Sequence, residues 1–396
     1  MLRLLLVLAF ALAPAAAGAQ HFDRFERDYA AARAAERDRL AARFIEAQAA
    51  RGGFPLRDQD GTAIFLFITE QPGPAVGVRG DFTPVSTHNP SWNGSGEAMR
   101  QLAPGSPIFV LQRRFEPDAR IDYQIVVDGV PRPDPLNPRR RDSGIHGEVS
   151  ELVMPDYREP SFLATLATAP EGRMIEVAEP WARLRTRIYL PPGYDPRRRH
   201  AVLYTPDGAA WSDFLHLPQM MDRLIVSGRI APFVAVLVDA PEDRSRFYYF
   251  APDYLDYLDR VIAYVDARYP TIRRPEGRIH AGTSAGARAA LFAALERPEL
   301  IGGIAMISPS ISGPPSFYAP LLAGERRLRP GTRIWISAGS YEESIDADAR
   351  LMERLFRTQD LTVRSRYTHE GHSLATWRNL LPEMLETFFS SSQAPR

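Results

Sequence analysis

Residues 278–291 read Arg-Ile-His-Ala-Gly-Thr-Ser-Ala-Gly-Ala-Arg-Ala-Ala-Leu, and no other stretch restricts the fold as tightly. A short apolar run ends at Gly282, Ser284 follows, then Gly286, then Ala, Leu and Phe at helical spacing as far as Leu295. The pattern predicts a strand, a sharp turn and a helix. A side chain two residues before or after the serine would collide with neighbouring backbone in such a turn. Glycine removes the collision and tolerates unusual backbone angles. Ser284 Oγ would then stand clear of the sheet, and the Ala285 N–H, opening the helix, would face a charge developing on a nearby oxygen. G-x-S-x-G alone recurs by chance; the strand and helix patterns on its two sides supply the context it needs.

A chain of 396 residues suggests two domains. Lys plus Arg number 48 and so do Asp plus Glu, so there is no broad basic field for nucleic acid. The absence of cysteine excludes disulfides, thiol catalysis and cysteine-ligated metals. No H-E-x-x-H or comparable ligand set is present, so neither metal nor cofactor is expected. Residues 1–19 read as a cleavable secretory signal: Arg3, an apolar run from Leu4 to Leu12, and Ala17-Gly18-Ala19 as the cleavage site. The run is short for a transmembrane helix, although a retained anchor is the alternative. Cleavage would start the mature chain near Gln20 with no membrane span, in the periplasm or outside the cell.

Residues 20–53 carry Phe22, Phe25, Tyr29, Leu40 and Phe44 at roughly helical spacing, predicting one amphipathic helix. Over 54–155 the period changes to strands: 63–68, 75–80, 108–111 and 121–127 are β-branched or aromatic runs divided by turn residues. This predicts a β-sandwich of immunoglobulin-like size. A Pro- and Ala-rich linker is expected over 156–175. From 176 to 392, apolar runs at 186–190, 200–204, 233–238, 278–281, 304–307, 333–336 and 363–367 alternate with helical stretches. They predict a mainly parallel sheet covered on both faces.

The serine turn resembles the nucleophile turn of α/β-hydrolases, in which an acid and then a histidine follow the serine along the chain. Of eight histidines, His372 suits that order, in Glu370-Gly371-His372-Ser373 between the last strand run and a C-terminal helix. His369 competes with it, whereas His280 reads as strand packing and His200 and His216 as surface or supporting groups. His372 would accept the Ser284 proton and return it to the leaving group. The orienting acid should follow the preceding strand, where Glu342, Glu343 and Asp346 stand in that order of preference; a Ser–His dyad without an acid is the alternative. A second oxyanion donor belongs on the loop Leu203–Trp211, as the Ala209 N–H or, failing that, Gly208. Trp92 and Trp211 could stack on a sugar or aryl group, or be core. Arg244, Arg246 and Tyr248 follow the 233–238 run and would suit an anionic, aryl-bearing substrate, or form a capped loop over core aromatics.

Two segments carry a closer resemblance. Val78 to Phe82, Pro117 to Tyr123, Val126 to Gly129 and Asp134 to Pro138 are similar to the early-set immunoglobulin-like domain that precedes some hydrolases. Leu190 to Asp195, Asp207-Gly208, Gly282 to Gly286, Ala338 to Glu342 and Gly371 to Arg378 resemble the esterase D or enterochelin-esterase family, over roughly residues 60 to 390. The family's acid lies three residues past a strand-ending glycine, which implies Glu342 after Gly339. Ala287 and Ser373 depart from it, standing where a glycine and an acid are common. The resemblance implies an α/β-hydrolase-fold serine esterase with a small-molecule or carbohydrate ester as substrate. A siderophore trilactone is slightly preferred to feruloyl or acetyl esters of polysaccharides. Acyl transfer uses the same residues, and a non-catalytic binding protein is the reading from a different class.

Overall fold

The computed structural model describes residues 18–70, 73–83, 92, 94–163, 172–244, 248, 252–311 and 315–391. The expected signal segment therefore lies outside the described residues up to position 17, and so does Arg246. The chain forms two compact units, the first drawn mainly from residues up to 158 and the second from residue 159 onward.

The first unit opens with α1 (Gly18–Ala31) and α2 (Ala34–Ala49). The single helix expected over 20–53 is thus broken, with Arg33 extended at φ −71° and ψ 154°. One straight helix would hold Phe22 and Phe44 about 33 Å apart at 1.5 Å per residue. Folded back, their rings come within 6.2 Å, and Phe25 stacks on Phe44 at 4.1 Å. Arg37 Nε secures the bend by donating to the carbonyls of Tyr29 and Ala32, which the end of α1 leaves free.

Among the described residues ten strands follow: β1 (Leu56–Arg57), β2 (Thr62–Ile68), β3 (Val76–Gly80), β4 (Glu97–Ala98), β5 (Arg100–Gln101), β6 (Ile108–Arg114), β7 (Arg120–Val127), β8 (Val130–Arg132), β9 (Arg140–Asp142) and β10 (Glu148–Val153). They make two antiparallel sheets, β1-β2-β6-β5 and β4-β3-β7-β10-β9, with β8 pairing β7. β2 is buried on both faces. Ile64 and Leu66 pack on the aromatic row of α1 and α2, and Phe65 meets Tyr123 of β7 edge-on at 4.9 Å. Double cover explains its unbroken apolar run.

The second unit holds β11 (Arg173–Glu176), β12 (Thr186–Leu190), β13 (Val202–Pro206), β14 (Val234–Val238), β15 (Arg278–Thr283), β16 (Gly303–Ile307), β17 (Arg333–Gly339) and β18 (Thr362–Thr368), in the sheet order 11-12-14-13-15-16-17-18. Pairing is parallel from β14 through β18, with β11 and β12 antiparallel at one edge. β11 falls inside the expected linker. It is a mostly exposed edge strand, so it has no apolar alternation to read. The helices are α3 (Leu217–Val226), α4 (Pro252–Arg268), α5 (Ala285–Glu296), α6 (Pro315–Leu322), α7 (Ser344–Arg357) and α8 (Leu374–Phe389).

Alternate strand residues face opposite layers. Val236, Ile304 and Ile334 pack with α4, α5 and α7, while Ala235, Ile279 and Trp335 pack with α3 and α8. Because β13 and β15 to β18 run parallel, the loops leaving Pro206, Thr283, Ile307, Gly339 and Thr368 gather at one edge of the sheet.

Candidate active site

Ser284 sits between β15 and α5 at φ 54° and ψ −121°, a conformation that costs a non-glycine residue about 1–3 kcal/mol. Its N–H donates to the Ile307 carbonyl at 2.9 Å, which ties the turn to the end of β16. A Cβ on Gly282 would lie 2.0 Å from the Gly286 carbonyl oxygen, so the expected backbone collision is real there. At Gly286 the obstacle is different: a Cβ would lie 3.1 Å from both Pro206 Cγ and Asp207 Oδ2. The second glycine therefore lets the serine turn sit against the loop after β13.

The sheet edge brings the three expected residues into one line. His372 Nε2 is 3.1 Å from Ser284 Oγ, and His372 Nδ1 is 2.6 Å from Glu342 Oε1. Glu342 belongs to a short helical turn, Ser340–Glu342, directly after β17, and its side chain is buried. Its second oxygen accepts from the Gly339 N–H at 2.7 Å and from Ser308 Oγ at 2.9 Å. A Cβ on Gly339 would lie 1.9 Å from the Glu370 carbonyl oxygen, so that glycine lets the end of β17 press against the loop that carries His372. The competing acids are elsewhere: Glu343 is exposed, and Asp346 pairs with Arg350 along α7 at 2.9 Å.

Two residues without an expected role complete the cluster. Ser308 follows β16 at φ 49°, donates to Glu342 and accepts from Trp377 Nε1 at 2.8 Å. The Trp377 ring in turn stands edge-on to the His372 imidazole, 4.8 Å between centroids. The available signal for Ser308 was its place, a small polar residue at the carboxyl end of the strand beside the serine strand. Ser373, the departure noted beside His372, caps α8 by accepting from the Thr376 N–H at 3.3 Å.

Ala285 begins α5, so its N–H lies in the first turn, where no carbonyl of the helix can take it. Ala209 precedes the helical turn Ala210–Phe214 that follows β13, the parallel neighbour of β15. Both N–H groups thus open helical turns at the same edge of the sheet. Two residues before Ala209 stands Asp207, at φ 59°. Its carboxylate is gripped in two places by Arg244, Nε to Oδ1 at 2.6 Å and Nη2 to Oδ2 at 2.7 Å.

The expected substrate groups fare differently. Trp211 has no exposed surface and belongs to the core with α3 and α8. Tyr248 is likewise buried, and its hydroxyl accepts from the Asp207 N–H at 3.1 Å. Neither is placed to touch a substrate: Trp211 packs with α3 and α8, and Tyr248 with the core on the other face of the sheet. Arg244 keeps partial exposure but has committed its fork to Asp207. Trp92 is buried in the first unit and donates to Asp81 at 3.2 Å.

The remaining histidines separate by burial. Burial pushes the His280 imidazole down to about 3, so it stays neutral against the Tyr254 hydroxyl. Burial also lowers His216, with Arg378 adding to the effect. His200 stacks on Tyr194 at 4.8 Å, just before β13 and so at the opposite end of the sheet. Among the described residues no group of three His, Asp or Glu side chains is placed to hold a metal ion.

The Esterase family model, described as "Putative esterase", matches residues 181–388, just over half of the chain. The iron(III) enterobactin esterase of Escherichia coli O6:H1 is 28% identical over 269 residues, 64% of this chain and 66% of that protein. An endo-1,4-beta-xylanase/feruloyl esterase of Xylanibacter ruminicola is 24% identical over 220 residues, 51% of this chain and 29% of that protein. The chain thus spans between 29% and 66% of the length of the curated relatives it matches. Among solved structures, a ferric enterobactin esterase from Salmonella typhimurium superimposes with TM-score 0.69 at 19% identity, covering 87% of this chain and 98% of that one. That likeness shows the α/β-hydrolase fold.

Proposed function

The chain belongs to the Esterase family whose model it matches, and from that premise we propose that it is an exported serine esterase cleaving carboxylic esters through an acyl-enzyme on Ser284. The observation that carries the reading is the unbroken line Ser284–His372–Glu342 at 3.1 and 2.6 Å, ending on a serine held in a strained turn. His372 Nε2 takes the Ser284 proton as Oγ bonds to the ester carbon, while Glu342 fixes the ring through Nδ1. The Ala285 and Ala209 N–H groups receive the oxyanion. The carbon–oxygen bond to the alcohol breaks, His372 protonates the departing oxygen, and water then repeats the sequence to free the acid and restore Ser284.

For the substrate, the iron(III) enterobactin esterase relative favours a siderophore-type trilactone. The feruloyl esterase relative supports the second reading, an aryl or acetyl ester on a polysaccharide. We read the two-sheet unit as an early-set immunoglobulin-like domain and residues 1–19 as a cleaved signal, which puts the mature chain in the periplasm or outside the cell. N-terminal sequencing of the exported protein should begin near Gln20.

The deciding experiment is hydrolysis of p-nitrophenyl acetate by the mature chain and by Ser284→Ala. The variant should lose about 10⁴-fold or more in kcat, together with labelling by a fluorophosphonate. A wild type that neither turns over nor labels would overturn the esterase reading. With activity in hand, kcat/KM on ferric enterobactin, feruloyl-arabinoxylan and acetyl-xylan ranks the substrates.

A further inference from the structure

The second unit has a cavity of about 500 Å³ at the end of the sheet opposite Ser284. Its wall is made where strands begin: His200 before β13, Pro232 before β14, Arg274 and Glu276 before β15, and Arg333 opening β17. Phe388 and Phe389, at the last turn of α8, close it. The serine cluster lies beyond the other ends of these strands, about 20 Å away across the six residues of β15.

Charge and shape in this cavity are one-sided. Arg198, Arg199, Arg274 and Arg333 line it, against the carboxylates of Asp195 and Glu276. Asp195 pairs with Arg197 at 3.1 Å and Glu276 with Arg329 at 2.8 Å, both outside the wall, while Arg198 and Arg274 of the wall act on the same two acids through space. Arg199 gives an N–H to the Thr271 carbonyl, and Arg198 and Arg274 sit exposed at the rim. Arg333 donates to two main-chain carbonyls, Phe388 and Glu276, both at 3.0 Å, and to no carboxylate among the described residues. Burial holds its guanidinium below the usual range, and only the Glu276 carboxylate works against this. Its charge lies 5.4 Å from the centroid of the Phe388 ring. Ile272, Pro232 and Phe389 extend that apolar floor.

We propose that this cavity is a second ligand site, separate from the serine cluster, for a small carboxylate with an apolar body such as an aryl or short alkyl acid. The volume suits one small organic ligand. The guanidinium forks match a carboxylate in two places at once, while the rings take the body that a bare inorganic anion lacks. The inference does not depend on the esterase reading.

Benzoate is the probe, titrated by ligand-observed NMR into the full mature chain with and without fluorophosphonate on Ser284. Saturable binding should survive the label, be competed by hexanoate, and be untouched by benzyl alcohol. Arg333→Met should weaken it about 10-fold or more, the loss of a charge-assisted contact. The rim variant Arg198→Gln/Arg274→Gln leaves the packed interior intact and should weaken it several-fold, so the test stands even if Arg333→Met does not fold. No saturable binding, binding unmoved by the rim variant, or binding abolished by the label would overturn the proposal. Inorganic phosphate competing as well as hexanoate would overturn the apolar part of it.

Discussion

In the first unit Asp122 is buried between two guanidinium groups: Arg120 at 3.0 Å on one oxygen and Arg141 on the other, with Arg120 also reaching Glu151. In the second unit Glu342 is buried against one imidazole, one hydroxyl and one backbone N–H. Both carboxylates are stripped of water and fully engaged, yet their partners differ in what they can do. A guanidinium keeps its proton at any working pH, so the Asp122 cluster can only hold strands β7, β9 and β10 together. An imidazole can take a proton on one nitrogen while the other holds its partner, and its far nitrogen here meets a serine hydroxyl. Burial of an acid does not by itself supply proton transfer. Its partner decides that.

Substitutions can break this contrast from either side. Glu342→Gln should lower kcat/KM by about 10³–10⁴-fold while the fold persists, since the amide keeps the shape but no longer sets the imidazole's proton; ester hydrolysis beside a thermal melt checks both halves. Asp122→Asn should do the reverse, costing the first unit about 3–5 kcal/mol by leaving Arg120 and Arg141 short of charge. Activity per folded molecule should hold, as urea unfolding with activity measured on the folded fraction would reveal. Loss of activity in step with Glu342→Gln would erase the distinction. A finer probe is Ser308→Ala, which removes one donor from Glu342 and leaves Trp377 Nε1 unanswered. We expect about a 10-fold fall in kcat, or ~1.4 kcal/mol, with KM unchanged.

The most gradual effects follow pH and are opposite in the two units. Burial and the Asp122 carboxylate push Asp81 up to about 8 from 3.8. The unfolded chain therefore loses this proton first, and the first unit should lose stability as pH rises from 3.8 toward 8. His280 is pushed down to about 3 from 6.5 by burial. The unfolded chain takes up that proton first, so the second unit should lose stability as pH falls from 6.5 toward 3. Hydrogen exchange read on peptides from β7 and β15 separates the slopes, and Asp81→Asn should flatten the first alone.

Much of the second unit was legible because its strands are buried on both faces and read as apolar runs: β12, β14 and β16 fall where the periodicity puts them, within a residue. Legibility failed where burial failed. Exposed β11 carries no apolar alternation and reads as linker, and the bend at Arg33 is hidden because Leu40 and Phe44 continue beyond it the helical spacing of Phe22, Phe25 and Tyr29. Trp211 and Tyr248 carry rings that suit a substrate as well as a core, and only packing distinguishes the two.

The sequence alone determined the serine turn. The clash that excludes a side chain at Gly282 involves Gly286, four residues away, so the pattern contains its own cause. It also determined the order of serine, acid and histidine, and the absence of any disulfide. Tertiary structure decided which acid meets the His372 imidazole. Glu342, Glu343 and Asp346 are chemically near-equivalent within five residues, and the turn after β17 buries one while leaving the next exposed. It also recruited Ser308 and Trp377, and it set Arg333 against Phe388 in the opposite cavity. Those contacts join residues 30 to 90 positions apart, and nothing in a local pattern encodes a distance that the sheet alone creates.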